Sequence, residues 1–456
     1  MRRALVLMMN VTHRTPSILS LVFATAGFIF FSCSGQSPGE SDGMISSLDG
    51  SPAPTGSGGL SAAGGSAIEN LSGDEAAARD AAAIDAGDET GTSDAGDSAR
   101  DDASAQIEGT PETEPVGYAK ATSGGGCAMP LKADTLEAMQ QVIDAYPGSG
   151  GLVVLYTGEF DFSSVTDACI QQGLPPRKLE IVNKNDITVL GEDGSSADFA
   201  IHIASSSSNI VVRNMTFCSL PGGSRSSVIS LEGTSDGVPS NIWIDHNEIF
   251  GAVTDCPSGG DAGFGAMIDI LKGSDNVVVS YNYFHDHDQA CSNGLDDGDS
   301  AARHVTFHHN YFENIGSRTP LQRHGFSHIF NNYFNNVTTY GINVLMGGYA
   351  LIEANYFENV HNPVTSREGR SIGYWELRDN NLAVAADVAP GNAFGITWDD
   401  GDEGDADGVN ATDWTTTAAF PDELGYGYEA DSFQCVREGL REVAGAYKNL
   451  ATLACE

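Results

Sequence analysis

Short apolar runs recur through the middle of the chain, and each run ends at an asparagine. The runs are rich in Val and Ile and are bounded by Gly, Asn and Asp, a composition typical of β-strands and not of helices. An aromatic or apolar pair usually follows the asparagine. The recurring units are NIVVRNMTF, NIWIDHNEIF, NVVVSYNYF, HVTFHHNYF, HIFNNYF and ALIEANYF.

The asparagines of these units recur at a near-constant interval. Successive gaps are 33, 35, 28, 22 and 23 residues, so a shortest repeat of about 22 residues carries insertions of varying length. This regularity predicts an all-β solenoid whose turns stack ~4.8 Å apart and align the asparagine amides in a ladder. The main alternative fold is an antiparallel sandwich, but it does not explain why the same asparagine and aromatic pair recur at a near-constant interval. We predict a structural role for these residues: Asn214, Asn247, Asn282, Asn310, Asn332 and Asn355.

Two helices are predicted beside the strands. The stretch ADTLEAMQQVIDAY places Leu136, Met139 and Ile143 on one helical face, and Asp134 with Glu137 predicts a capping box at its start. The stretch DSFQCVREGLREVAGAYKNL is also predicted to be helical and to pack near the end of the solenoid. Because an exposed final strand invites pairing with other chains, we expect both ends of the solenoid to be covered.

The first residues have the pattern of an export signal. Residues 1–33 combine a positively charged start with an apolar run from Ile18 to Phe31. The segment ends in FFSC, so Cys33 is a candidate lipid anchor of an outer-membrane lipoprotein. The alternative is ordinary signal cleavage after the ATA at Ala24–Ala26. Either route predicts a secreted or cell-surface protein.

The chain then divides by composition into a linker and a folded domain. Residues 34–115 contain 17 acidic residues against two arginines and almost no aromatic residues. Such a segment cannot bury enough apolar surface to offset its ordering entropy, which predicts a disordered, self-repelling linker. Residues 116–456 are predicted to form the folded domain, and we expect it to be a monomer.

Charge and cysteine content narrow the function. The formal net charge of −40 argues against a nucleic-acid ligand, because phosphate binding needs clustered Lys and Arg. A polyanionic substrate is compatible with this charge only where local arginines or a bound cation offset the repulsion. Seven cysteines follow Cys33. In an exported chain they predict disulfides with one thiol left over, and the absence of any CxxC pair argues against a cysteine zinc site.

Three polar clusters project from the predicted turns. The first contains Asp245 in WIDHN, the second Asp261 and Asp269 in GDAGFGAMIDILKGSD, and the third Arg318 and Arg323 in SRTPLQR. Equivalent positions on stacked turns are neighbours, so we expect Asp245, Asp269 and Arg318 to share one groove. Hard carboxylates on separate turns suit Ca²⁺, although an Asp at a strand corner also forms turns and an Arg in an acidic protein also forms salt bridges.

Two histidines lie between the second and third clusters. His285 and His287 alternate along one predicted strand in HDHDQ. Histidines in this pattern can bind a transition metal, but we predict that they form hydrogen bonds that hold the turn.

From Gly117 to Asn380 the sequence resembles the pectate lyase family, whose members cleave polygalacturonate. The resemblance lies in WIDHN, DILKGSD, SYNYFHDHD, RHVTFHHNYFENIGSR, the RxPxxR arginines, HIFNNYF and NPVTS. It implies a right-handed, single-stranded parallel β-helix with an N-terminal capping helix and a C-terminal helical and loop segment. It also implies that Asp245 and Asp269 bind Ca²⁺, that Arg318 removes the proton from carbon 5 of the sugar, and that Arg323 binds a substrate carboxylate.

Two positions depart from the family pattern. Gln289 stands where the family has a substrate-binding lysine, and Gly265 stands where it has a carboxylate four residues before the second calcium aspartate. Asp261 is the candidate replacement for that carboxylate. The function expected is Ca²⁺-assisted β-elimination of α-1,4-linked galacturonan. The departures leave two alternatives, a pectin lyase acting on methyl-esterified substrate without calcium and a non-catalytic surface protein that binds carbohydrate.

Overall fold

The computed structural model describes residues 113–165, 174–218, 227–251, 265–383, 394–397 and 416–455. The predicted signal segment with Cys33, the linker as far as residue 112, and Asp261 lie outside these residues. None of the helices in the described part of the chain has the length and apolar content that a membrane span requires.

The described strands, numbered in chain order, pair in parallel into three sheets. The first sheet contains β1 (Leu131–Ala133), β2 (Leu152–Tyr156), β4 (Asn185–Gly191), β6 (Ser208–Arg213), β9 (Ser240–Asp245), β12 (Asp275–Ser280), β15 (His304–His308), β18 (Phe326–Phe330), β21 (Tyr349–Glu353) and β24 (Tyr374–Arg378). The second contains β7 (Thr216–Cys218), β10 (Glu248–Phe250), β13 (Tyr283–Gln289), β16 (Tyr311–Ser317), β19 (Tyr333–Val337) and β22 (Tyr356–Val360). The third contains β3 (Lys178–Val182), β5 (Ala200–Ala204), β8 (Ile229–Glu232), β11 (Ile268–Leu271), β14 (Cys291–Asn293), β17 (Leu321–Arg323), β20 (Ile342–Leu345) and β23 (Val364–Thr365).

The order of these strands along the chain makes a coil. From β6 to β23 the chain runs from the first sheet to the second, then to the third, and returns to the first one turn further along. Each strand therefore pairs with the strand of the next turn and not with its sequence neighbour. The predicted all-β parallel β-helix is confirmed.

The core fills the inside of the coil with stacked rows of apolar side chains. In the first sheet Ile210, Ile242 and Val277 occupy the same register on successive turns and are fully buried. In the second sheet Phe284 and Phe312 stack with ring centroids 4.9 Å apart, and the row continues through later turns. β-Branched and aromatic residues fit this pleated surface, which is why the repeating units are rich in them.

The asparagine ladder forms at the corner between the first and second sheets. The Nδ2 group of Asn247 donates to the Oδ1 atom of Asn282 at 2.9 Å, and the same bond repeats along the buried row as far as Asn380. Each of these asparagines also accepts a backbone N–H from the turn before it. The predicted ladder is thus confirmed from Asn247 onward. Asn214 differs, because its Oδ1 atom accepts the backbone N–H of Tyr447.

Two α-helices and one short 3₁₀ turn (Phe162–Ser164) accompany the described strands. Helix α1 (Leu136–Ala145) buries Met139 and Ile143 against the first turns, as predicted. Its cap differs from the prediction: the side chain of Thr135, and not of Asp134, accepts the N–H of Ala138.

Helix α2 (Phe433–Val443) buries Val436 and Leu440 against tyrosines on the outer face of the second sheet, near its last turns. Residues 444–455, here called the C-terminal strap, follow it across the coil. A disulfide between Cys435 and Cys455 joins α2 to the end of the strap. Cys218 and Cys291 are buried free thiols.

Candidate active site

Most of the predicted functional residues lie on the outer face of the third sheet or at the corner where the second sheet leads into it. Asp269 lies in β11 between the inward-facing Ile268 and Ile270, so its side chain points outward. Arg318 directly follows β16, and Arg323 ends β17, the next strand of the same turn. Gln289 ends β13 and is paired in register with Ser317, the residue before Arg318. Four of the six predicted site residues therefore belong to adjacent turns of one region.

Asp269 is a half-buried carboxylate surrounded by hydroxyl groups. Its strand register places Ser230 on one side and Ser292 on the other. The Ser227 hydroxyl donates a hydrogen bond to it. Burial raises the pKa of Asp269, while these hydrogen bonds and the charge of Arg318 offset only part of the rise. The site thus contains a carboxylate that an additional cation would stabilise.

Arg318 is held beside this carboxylate by its backbone and side chain. Its φ of 62° lies in the left-handed region, which redirects the chain between β16 and β17. The carbonyl of Arg318 accepts the N–H of Cys291 at 2.7 Å, and its Nη1 group donates to the Ser292 hydroxyl at 3.2 Å. Its Nε atom is buried and makes no hydrogen bond within the described residues. Ser292 therefore connects Arg318 to the strand row that contains Asp269.

Arg323 is positioned by a buried support. Its Nε group donates to Asp297 at 3.3 Å and its Nη1 group donates to the carbonyl of Gly294 at 3.3 Å. Underneath, the fully buried Arg303 donates to the carbonyl of Arg323 at 3.0 Å and pairs with Asp299 at 2.8 Å. These bonds fix the end of β17 and the loop that follows β14.

The structure places Asp245 apart from this region. Asp245 ends β9 of the first sheet and is fully buried. Its carboxylate accepts from Arg213 Nε at 2.6 Å, His246 Nδ1 at 2.7 Å and the Ser280 hydroxyl at 2.6 Å. Burial alone would raise the pKa of Asp245, but Arg213, His246 and the hydrogen bonds outweigh burial and lower it to about 2.

This position corrects the expectation of one shared groove. The turn contains three strands, so Asp245 and Asp269 of the same turn face outward from different sheets. Moreover, both Asp245 oxygens already accept hydrogen bonds. Asp269 is therefore the predicted calcium aspartate that remains available, and the place of Asp261 lies outside the described residues.

The two histidines of HDHDQ hold the turn, as predicted. His285 bonds to Asp286 at 2.8 Å and to Glu248 at 3.3 Å through its two ring nitrogens. The Nε2 atom of His287 donates to the carbonyl of Gly265 at 2.9 Å. Gly265, which replaces the family carboxylate, is thus held against the turn by its backbone.

The described residues offer an incomplete set of ligands for calcium. Ca²⁺ takes six to eight oxygen ligands. Asp269 supplies one carboxylate, and the hydroxyls of Ser227, Ser230 and Ser292 lie near it. Within the described ranges no three His, Cys, Asp or Glu residues come together in a way that could hold a metal ion. The half-buried Asp269 fits a cation only when further oxygens, such as carboxylates of a bound polyanion, complete the set.

Several residues of this region escaped the sequence analysis. Ser227 and Ser292 carry no distinguishing motif, and their contacts with Asp269 and Arg318 depend on strand register. Arg303 and Asp297 lie in or beside an acidic, glycine-containing stretch, and the order of residues along the chain does not show which partners they contact. Arg370, which binds Asp297, is 73 positions from it in sequence.

A separate cavity of about 430 Å³ lies between the first sheet and the C-terminal strap. Its walls include Tyr281, His308, Phe330 and Leu453. None of the groove residues Asp269, Arg318 and Arg323 lines it, so the arginine-bearing groove and this cavity are distinct features.

Comparisons of this chain with known protein families, sequences and structures all find pectate lyases. A family model described as pectate lyase matches residues 104–449. Pectate lyase 3 from Pectobacterium carotovorum subsp. carotovorum is 41% identical over 362 residues, which cover 74% of this chain and 91% of the relative. The structure of pectate lyase II from Xanthomonas campestris pv. campestris is 49% identical, with a TM-score of 0.68, covering 74% of this chain and all of that chain.

The structure of pectate lyase C from Erwinia chrysanthemi at pH 9.5 with 30 mM Ca²⁺ is also similar. It is 38% identical with a TM-score of 0.68, and the match covers 75% of this chain and 99% of that chain. A mutant of pectate lyase C, 37% identical to this chain, has been solved in complex with pentagalacturonic acid. The matches cover nearly the whole length of each relative.

Proposed function

The chain belongs to the pectate lyase family and cleaves pectate by lyase activity, and we propose that the outer face of the third sheet around Asp269, Arg318 and Arg323 is its active site. The observation that carries this proposal is the register that brings Ser292 against both Asp269 and Arg318. The reaction is β-elimination of α-1,4-linked galacturonan. A base takes the proton on carbon 5, the bond between carbon 4 and the glycosidic oxygen breaks, and a carbon 4–5 double bond forms.

Arg318 is the proposed base. An arginine side chain is ordinarily charged and has no free lone pair, so it must lose a proton before it can accept one. The hydrogen bond from Nη1 to Ser292 and the left-handed backbone fix the direction of the guanidine. Fixing the base relative to the sugar removes orientational entropy from the reaction barrier.

Arg323 and Gln289 are the proposed substrate-binding residues. A guanidinium binds a carboxylate through two parallel N–H bonds, and the buried Arg303 under Arg323 keeps that group in place. Gln289 offers amide hydrogen bonds without charge where the family has a lysine. Its neutrality weakens the attraction for a fully charged polymer and favours partial methyl esterification.

We propose Ca²⁺ as the cofactor, with Asp269 as its protein carboxylate and Asp261 as a further candidate ligand. A cation held by Asp269 would supply Lewis acidity, which would make the proton beside a substrate carboxylate more acidic and would disfavour the charged form of a nearby guanidinium. The calcium-containing structure of a related pectate lyase supports this assignment. Asp245 is not included, because its oxygens are occupied by Arg213, His246 and Ser280.

We further propose that residues 1–33 direct export, that residues 34–115 are a linker, and that residues 116–456 form the catalytic domain, a monomer. Lipid attachment at Cys33 would keep the enzyme at the cell surface. Mass spectrometry of the mature protein from its host distinguishes an acylated N-terminal Cys33 from a chain cut after Ala24–Ala26.

One assay tests the active-site proposal. The purified mature protein is incubated with polygalacturonate or with highly methylated pectin, each with calcium or with a chelator. Ultraviolet absorbance of the unsaturated product is then followed. We expect calcium-dependent product from polygalacturonate. Activity on methylated pectin that ignores the chelator would instead select the calcium-independent alternative, which the incomplete set of described calcium ligands and the neutral Gln289 favour.

The base is tested with two variants. Arg318→Ala is expected to lower kcat by about a thousandfold or more with little change in KM, because it removes proton transfer as well as positioning. Lys132→Ala, which lies far along the coil and pairs on the surface with Glu192, is the control and should keep its rate. An Arg318→Ala variant with the wild-type rate would eliminate this residue as the base.

A further inference from the structure

A second carboxylate, that of Asp297, lies in the groove and contacts two arginines. Asp297 Oδ1 accepts from Arg323 Nε at 3.3 Å. Its other oxygen, Oδ2, accepts from both the backbone N–H and the Nε group of Arg370 at 3.1 Å. We infer that Asp297 sets the substrate preference of the enzyme, by neutralising part of the guanidinium charge that would otherwise attract galacturonate carboxylates. This inference rests on the proposed role of Arg323 in substrate binding.

The arrangement resembles a substrate carboxylate held between two guanidinium groups. Each Asp297 oxygen faces a different arginine, which is how such a pair would grip a uronate. Arg323 is mostly buried, but the Arg370 side chain is 72% exposed and can be approached from solvent. The three side chains together carry a charge of +1, against +2 for the two arginines alone.

Asp297 is held in this position by its own loop. Asp299 accepts the N–H groups of Leu295 at 2.9 Å and Lys272 at 2.8 Å, and it pairs with the buried Arg303. His324 adds a bond from Nε2 to the carbonyl of Asp297 at 3.2 Å. The backbone of Asp297 therefore has a fixed place in the groove, and the two arginines orient its carboxylate.

A fixed negative charge acts differently on the two forms of the polymer. Polygalacturonate presents a carboxylate on every sugar. A sugar carboxylate bound near Arg323 is repelled by Asp297, and the net positive charge that attracts it is smaller because Asp297 offsets part of the arginine charge. Methyl esterification removes the sugar charge and with it the repulsion. Like charges a few ångströms apart at a protein surface change binding by roughly tenfold or more. The neutral Gln289 lies in the same groove and acts in the same direction.

The test compares three variants with the wild-type protein. Asp297→Asn keeps an oxygen that accepts from Arg323 and removes the charge. Asp297→Ala removes both. Asp296→Asn is the matched control, since Asp296 is on the same loop but its carboxylate contacts no arginine in the described structure and accepts the backbone N–H of Gly298. For each protein, kcat/KM is measured on polygalacturonate and on highly methylated pectin at low and high salt. Polygalacturonate binding is measured separately by affinity electrophoresis.

We expect Asp297→Asn to raise the preference for polygalacturonate over methylated pectin by roughly tenfold, mainly through a lower KM, and high salt to reduce the gain. Asp297→Ala should shift the preference in the same direction, and Asp296→Asn should change it less than twofold. If Asp297 only positions Arg323, the Asn variant will match the wild type and the Ala variant will bind polygalacturonate more weakly, which would overturn the inference.

Binding separates this inference from the proposed reaction. Should no variant form unsaturated product, the lyase assignment of this site fails. The electrophoretic comparison of Asp297→Asn with Asp296→Asn still decides the role of Asp297. Equal retardation of these two variants by polygalacturonate would disprove it.

Discussion

At the scale of single residues, Asp245 and Asp269 are the same side chain in opposite surroundings. Both are withdrawn from water, and burial favours the neutral form of each. Around Asp245 the charges of Arg213 and His246 reverse that effect and lower the pKa, whereas Asp269 has mainly hydroxyl partners and its pKa is raised. The first carboxylate has its counter-charges built in and is structural, and the second can gain stability from a ligand.

The structural role of Asp245 predicts a large loss of stability on substitution. Asp245→Asn removes a fully buried charge that pairs with both Arg213 and His246, so unfolding in guanidinium chloride at pH 7 should require about 3–5 kcal/mol less free energy. Asp286→Asn is the control, because Asp286 is half exposed and pairs with His285 at the surface. That change should cost less than about 1 kcal/mol.

The lowered pKa of Asp245 in the folded protein predicts that the stability of the protein depends on pH. The pKa of Asp245 is about 2 in the folded protein and about 3.9 in an unfolded chain. Its contribution is therefore complete above pH ~4 and is lost as the pH falls towards 2. Between these values the wild-type protein should lose more stability than Asp245→Asn, as measured by denaturant unfolding at each pH. Parallel losses in the two proteins would contradict the assignment.

At the scale of elements, the coil corner is stabilised by repeated amide bonds and not by apolar contacts alone. Each ladder asparagine donates both to a backbone carbonyl and to the asparagine of the next turn, so consecutive turns satisfy one another's buried polar groups. This mutual satisfaction is what an irregular corner needs when water is excluded. It also explains why asparagine recurs at a corner whose backbone bends sharply.

Removing one rung of this ladder should destabilise its neighbours. Asn332→Ala deletes the acceptor for both the backbone N–H and the side-chain amide of Asn310 and leaves these donors buried. We expect a loss of about 2–4 kcal/mol in urea unfolding. Asn335→Ala, three residues away and half exposed, should cost less than about 1 kcal/mol. Similar losses for the two variants would show that the ladder is not a special source of stability.

The C-terminal strap is a second element whose role can be measured. The Cys435–Cys455 bond spans a separation of 20 residues, and a loop of that size contributes about 3 kcal/mol by the chain-entropy estimate. The double variant Cys435→Ser/Cys455→Ser should lose about that amount in urea unfolding. Its rate on polygalacturonate at 25 °C should stay unchanged, because the strap packs near Tyr281 and His246 and not against the arginines of the groove.

At the scale of the whole molecule, the solenoid separates stability from function. Three sheets give three outer faces: the first contacts the C-terminal strap, the second contacts α2, and the third carries the arginine-bearing groove. The core and the asparagine ladder run the length of the coil inside all of them. Residues on the third face can therefore vary without loss of the fold, and Gly265 and Gln289 are examples.

This separation predicts a small effect of calcium on stability. Among the described groove carboxylates Asp297 is already paired with two arginines, which leaves Asp269 for a cation, so Ca²⁺ alone should bind weakly and raise the Tm by less than about 1 °C at millimolar concentration. Calcium together with a galacturonan oligomer should raise the Tm further, since substrate carboxylates complete the ligand set. Differential scanning fluorimetry with each component alone and with both makes the comparison, and a shift of several degrees with calcium alone would indicate a complete protein site.

The repeat determined the fold without any tertiary information. The interval between Asn247, Asn282, Asn310 and the later asparagines marks one corner of each turn, and turns that share this corner stack with their asparagines aligned, so the local pattern is enough to predict the coil. The apolar face of α1 was equally readable, although its cap was not, because Asp134 and Thr135 are both capable N-cap residues.

The surroundings of each polar residue were decided by the tertiary structure. The sequence by itself marked Arg318, Arg323 and Asp269 as candidates, and their strands do lie in one region. It also grouped Asp245 with them, because order along the chain does not say which of three outer faces a residue occupies. The sequence also did not predict the contact between Asp297 and Arg370, because that contact depends on the lengths of the turns between them. Strand positions follow from a local, repeated pattern, whereas the neighbours of a charged side chain depend on register between turns, and only the folded coil establishes that register.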